Sequence, residues 1–147
     1  MTYTEKHKDL FTSPEDYYLA HCISADFDMG RGIVTEFNKR FALGSLLHKA
    51  RPGYLRQWQN KRMEYDCIVC GRVINLITKE RCFHRPTLRT LRGALQCMKE
   101  QCVLQGIHKV AMPLIGCGLD RLKWSQVSPM IREMFADTDI DILVCIK

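Results

Sequence analysis

The stretch "KVAMPLIGCGLDRLKW", Lys109 to Trp124, decides how the chain is read. Lys109 to Met112 has the compact apolar character of a short buried strand, and Pro113 stops it. Glycines then flank Cys117, Asp120 closes the loop, and a helical pattern begins at Trp124. Glycine lets backbone approach a ligand closely, and successive free N–H groups in a tight turn form an anion-binding nest. A helix start behind such a loop adds a favourable partial charge. Strand, glycine loop and helix in that order belong to an α/β sheet, where ligands settle at the carboxyl ends of strands.

Working outward, the same alternation recurs. Tyr18 to Ser24, "YLAHCIS", reads as a buried strand. "DMGRGIVTEFNKRF" follows, with Asp28 as the expected N-cap and Ile33, Phe37 and Phe41 as a helical stripe. Leu43 to Ala50 continues as a second helical piece until Pro52. Residues 53 to 66 are expected to form a strand plus a loop. "CIVCGRVINLIT" reads as a hairpin with Gly71 near its bend. Pro86-Thr87 opens a long amphipathic helix with Leu88, Leu91, Leu95, Met98 and Cys102 on its apolar face, and Gly106 closes it. Trp124, Val127, Ile131, Met134 and Phe135 mark another helix, and "IDILVCI" a last buried strand. Buried strands interleaved with helices predict an α/β domain, helices covering both faces of a mixed sheet.

At 147 residues the expectation is one domain spanning 1–147. Hydrophobic residues make up 46% and charged residues 26%, ordinary for a globular protein, and no apolar run is long enough to cross a bilayer. The first residues lack an apolar signal core, so an intracellular protein, nuclear or cytoplasmic, is expected. Eight cysteines lie mostly inside apolar runs and are expected as free thiols. The net charge of +6 favours an anionic partner without choosing among nucleic acid, nucleotide and acidic protein.

Several residues could carry chemistry. Asp120 fits either a helix start or an acid/base group. Lys79 ends an apolar strand, so it is a solvated charge, an anion contact, or a nucleophile. Cys67, Cys70, Cys82 and His84 have the residue types of a zinc site. However, strand positions three apart point to opposite faces, and the second pair has the wrong spacing, so no metal is expected. His21 reads as a packed strand histidine, and Cys117 lacks a histidine partner in sequence.

Taken together, "LAHCISADFDMGRGI", "LITKERCFHRPT" and "MPLIGCGLDRLKW" closely resemble the macrodomain family of terminal ADP-ribose protein glycohydrolases. The resemblance runs from Lys8 to the last strand and implies a three-layer α/β/α fold with a mixed, mostly parallel central sheet. It implies removal of mono-ADP-ribose from acidic side chains of proteins, and deacetylation of O-acetyl-ADP-ribose as a second ester reaction, with no cofactor. Lys79 matches the family's nucleophile and Asp120 its acid/base. Asp9 and Leu10 match the adenosine end. Ser24, Gly30, Gly32 and Ile33 on one loop, and Leu114, Ile115, Gly116, Cys117, Gly118 and Leu119 on the other, match the diphosphate and distal-ribose enclosure. Lys147, the last residue, is expected near the ligand.

The chain departs from the family pattern at Lys8, which replaces a glycine before "DLF", and at Arg31, which adds a charge to the first loop. Residues 54–64 look like an insertion, and the ending "LVCIK" loses an aromatic at Cys145. A non-catalytic ADP-ribose reader is the alternative with the same pocket. A basic nucleic-acid module, with Tyr54, Trp58 and Arg62 as its face, is the alternative from another class. A monomer is expected.

Overall fold

A computed structural model describes residues 1–147. Six strands form one sheet, in the order β1-β6-β5-β2-β4-β3. These are β1 (Thr2–His7), β2 (Tyr18–Ser24), β3 (Asp66–Cys70), β4 (Val73–Lys79), β5 (Lys109–Met112) and β6 (Asp141–Ile146). Every neighbouring pair is parallel except the β3–β4 hairpin, so the sheet is mixed and mostly parallel as expected. The hairpin turns at Gly71, whose φ of +58° suits glycine.

Helices cover both faces. On one side lie α4 (Leu88–Gln105) and α5 (Trp124–Met134); on the other lie α1 (Val34–Phe41), α2 (Leu43–Ala50) and α3 (Tyr54–Asn60). Strand side chains alternate between the two cores. Ala20, Ile74, Leu76, Val110 and Val144 pack with α4 and α5, while Leu19, Ile23, Val73, Ile77 and Ala111 pack with α1 to α3. Both faces are therefore apolar, which explains the continuous hydrophobic runs. Thr87 caps α4 reciprocally with Thr90, at 3.0 and 3.1 Å. Leu91, Leu95 and Met98 of that helix are fully buried, each contributing roughly 1.5–3 kcal/mol. No helix is long and apolar enough to cross a membrane.

Three sequence expectations change. Residues 54–60 form a helix rather than a strand: Tyr54 and Trp58, one turn apart, are both buried against the core. The Tyr54 hydroxyl donates to Asp66 Oδ2 at 2.6 Å, and its ring stacks on Phe27. The aromatic pair is thus core and not a nucleic-acid face. Asp28 caps no helix; α1 begins later, at Val34, without a side-chain cap. Finally, β1 escaped notice because it is an edge strand of mostly polar, exposed residues, held by its pairing with β6.

Candidate functional site

The carboxyl ends of β2, β4, β5 and β6 open onto a single cleft of about 980 Å³. Ser24, Lys79, Pro113 and Lys147 stand at those four strand ends and all line it. The parallel topology explains the convergence, because parallel strands deliver their following loops to the same edge.

Lys79 and Asp120 meet inside the cleft. Lys79 Nζ donates to Asp120 Oδ1 at 2.7 Å, and their side chains are 13% and 14% exposed. They come from positions far apart in the chain, one ending β4 and the other in the loop after β5. Asp120 plays no part in starting α5, whose N-cap is Lys123, so the helix-start reading of this carboxylate is set aside.

The loop after β5 is shaped by its own backbone. Cys117 N–H donates to Leu114 C=O at 3.1 Å, and Leu122 N–H to Gly116 C=O at 2.7 Å. Gly116 has φ +74°, and a Cβ there would sit 3.0 Å from Leu122 Cδ1 and 3.2 Å from Leu91 Cδ2. Any side chain there is strained by the dihedral, and both leucines would have to shift to admit it. The N–H groups of Gly118, Leu119 and Asp120 have no protein partner, which leaves three successive donors beside the catalytic candidates.

The loop after β2 is held by carboxylates. Asp26 Oδ1 accepts from Ser24 Oγ at 2.5 Å and from Asp28 N–H at 3.1 Å, while Asp26 Oδ2 accepts from Cys82 N–H at 3.1 Å. Asp26 therefore ties this loop to the segment that follows Lys79. Asp28 Oδ1 accepts from Gly30 N–H at 2.8 Å. Gly30 does not line the cleft, so its place among the binding residues is corrected: its donor is already taken within the loop. Gly32 and Ile33 do line it, and the N–H groups of Gly32, Ile33 and Val34 at the start of α1 are unpartnered.

Asp9, Leu10, Phe11, Cys145 and Lys147 gather at another part of the cleft. Asp9 caps a 3₁₀ turn (Leu10–Thr12) by accepting from Phe11 N–H at 3.0 Å, and Lys147 Nζ lies 3.5 Å from Asp9 Oδ2. The Phe11 N–H bond and, less strongly, Lys147 hold the Asp9 carboxyl below its usual range. The cleft thus contains every expected site residue apart from Gly30, from Leu114, Ile115, Gly116, Cys117, Gly118 and Leu119 to Lys147.

Neither the buried histidine nor the cysteines are placed for the chemistry. His21 is buried, stacks on Phe37 at 3.8 Å and bonds Asn75 Oδ1 through Nε2 at 2.7 Å. Burial lowers its pKa to about 4. Burial pushes the thiols of Cys22 and Cys117 up, which argues against either as a resting thiolate nucleophile. Cys67 and Cys70 pack into opposite cores, and no cluster of three His, Cys, Asp or Glu side chains could hold a metal. Asp26 was missed in sequence, although a carboxylate just past a strand end is a common loop tether.

The chain is 44% identical over 138 residues to the ADP-ribose glycohydrolase OARD1 of Homo sapiens, an alignment covering 92% of this chain and 86% of that protein. It belongs to the OARD1 family. The Bos taurus member is 43% identical over the same coverage. No protein-family model matches the sequence. Among solved structures, the macrodomain of Mycobacterium tuberculosis DarG superposes with a TM-score of 0.77 at 20% identity, covering 98% of this chain and 97% of that one. The fold of this OARD1 family member is accordingly that of a macrodomain, the three-layer architecture its residues predicted.

Proposed function

We propose that the chain is an ADP-ribosyl hydrolase acting on mono-ADP-ribosylated glutamate or aspartate of proteins, with Lys79 as nucleophile and Asp120 as acid/base. The observation that carries the reading is the 2.7 Å contact between Lys79 Nζ and Asp120 Oδ1, largely shielded from solvent beside unpartnered backbone donors. The OARD1 relatives named as ADP-ribose glycohydrolases support the reaction class.

An amine attacks only when neutral, and Asp120 is the group placed to take its proton. Lys79 Nζ then bonds to the anomeric carbon of the distal ribose. The C–O bond to the protein's acyl group breaks, and its electron pair leaves with the carboxylate. Asp120 passes its proton to solvent and is free to take one from an entering water. That water attacks the same carbon, the C–N bond breaks, and Asp120 returns a proton to the released amine. One difficult displacement becomes two easier ones. The diphosphate, held by the N–H groups of the two loops, supplies positioning far from the reacting carbon. Deacetylation of O-acetyl-ADP-ribose is the second ester reaction assigned to this cleft.

An ADP-ribose reader without turnover is the second reading, because the unpartnered backbone donors of the two loops suit ADP-ribose whether or not Lys79 reacts. Both readings answer to one experiment. Lys79→Ala is expected to cut hydrolysis of a glutamate-linked mono-ADP-ribosylated protein by roughly 10³-fold or more. Calorimetry should still show ADP-ribose binding within a few-fold. Wild-type protein that binds ADP-ribose and never releases it from the ester establishes the reader instead.

A further inference from the structure

If ADP-ribose fills the main cleft, the protein half of the substrate must leave it beside Lys79. A second, shallower cavity of about 320 Å³ lies there, sharing Lys79, His84 and Arg85 with the cleft. Thr78 lines it. This residue is 2% exposed, and its Oγ1 is buried without any hydrogen-bond partner.

The rim supplies two further features. Phe83 is 73% exposed, an unusual position for a phenyl ring, and lines the mouth of the main cleft next to His84. Arg85 is exposed and forms no ion pair. The carboxylates that line the second cavity are already answered by other guanidinia. Glu64 pairs with Arg89 at 2.8 Å and Glu80 with Arg81 at 3.9 Å. Lys79 is likewise matched by Asp120. Arg85 is therefore the unmatched charge of this groove, and it is positive.

Resting on the ADP-ribosyl hydrolase reading, we propose that the groove beside Lys79, lined by Arg85 and bordered by Phe83 at the mouth of the main cleft, binds the polypeptide half of the substrate. Its occupant is an extended, acidic segment flanking the modified side chain. Continuity with the cleft at Lys79 puts the groove where that segment must pass. Phe83, at the mouth of the main cleft, covers apolar surface, and Arg85 pairs with a neighbouring carboxylate.

Two substrates test this. One is an acidic peptide bearing mono-ADP-ribose on a glutamate; the other is the ADP-ribose ester of free glutamate. Arg85→Ser and Phe83→Ser, both on the surface, are expected to lower kcat/KM for the peptide by about tenfold, mainly through KM, equivalent to ~1.4 kcal/mol. Both residues also line the mouth of the main cleft, so the same variants lower kcat/KM for the glutamate ester too, but by a clearly smaller factor, because that substrate has no flanking segment. Arg85→Ser also flattens the salt dependence of peptide turnover. Equal losses on both substrates, or no loss on the peptide, overturn the proposal. So does a larger loss on a mono-ADP-ribosylated oligonucleotide, which makes nucleic acid the occupant. If wild type cleaves neither ester, the hydrolase reading itself has failed.

Discussion

The loops that leave β2 and β5 face the same cleft but are built differently. The β5 loop is closed chiefly by backbone bonds to the carbonyls of Gly116 and Gly118. The β2 loop is roped by the carboxylates of Asp26 and Asp28, and its free donors come from the start of α1. Both present unpartnered N–H groups at the cleft. The difference teaches where each is vulnerable: the first at a backbone dihedral, the second at a carboxylate.

The largest effect should come from Gly116→Ala, which places a methyl group at φ +74° against Leu122 and Leu91. The expected cost is about 2–4 kcal/mol in denaturant unfolding, with loss of ADP-ribose binding. An alanine variant as stable as wild type would remove the basis for treating the β5 loop as dihedral-limited. Asp26→Ala comes next. It orphans Ser24 Oγ and the N–H groups of Asp28 and Cys82, costing about 1–3 kcal/mol. Because the Cys82 bond anchors the segment beyond Lys79, kcat should fall roughly 10- to 100-fold while ADP-ribose affinity falls less. Asp26→Asn, which keeps an acceptor oxygen, should recover part of both. If kcat and stability are untouched, the tether is incidental.

The smallest change separates space from ligand. Gly118 lacks a left-handed φ, and its Cβ would meet nothing within 4 Å. Gly118→Ala should leave stability within about 0.5 kcal/mol of wild type. It should weaken ADP-ribose binding by roughly tenfold, because the new methyl group occupies the approach to the free donors. Binding equal to that of wild type would show that the donors at 118–120 do not meet the diphosphate.

Much of this architecture was legible residue by residue. The runs around Ile23, Leu76 and Val144 are apolar because those strands are buried on both faces, so their pattern survives without knowledge of partners. The stripe Leu91, Leu95, Met98 is a local period of one helix. Segments whose burial comes from elsewhere were harder. The helix at Tyr54–Asn60 is short and polar apart from the side chains it buries, and β1 has almost no apolar signature. The glycine loops were visible, but which glycine is indispensable was not: Gly30 and Gly116 look equivalent in a string of letters. A hydrogen bond to Asp28 and a close Leu122 distinguish them.

By itself the sequence determined the alternation of strands and helices apart from β1 and the Tyr54–Asn60 helix, the two glycine loops at strand ends and, through its likeness to a family, the choice of Lys79 and Asp120 as candidates. Those features are local, or are carried by residue type. Tertiary structure decided that Lys79 and Asp120 touch, that Asp26 ties the loop after β2 to the segment after β4, and that Thr78 is left without a partner beside them. Each of these is a distance between parts of the chain brought together only by parallel strand pairing, and no local pattern encodes it.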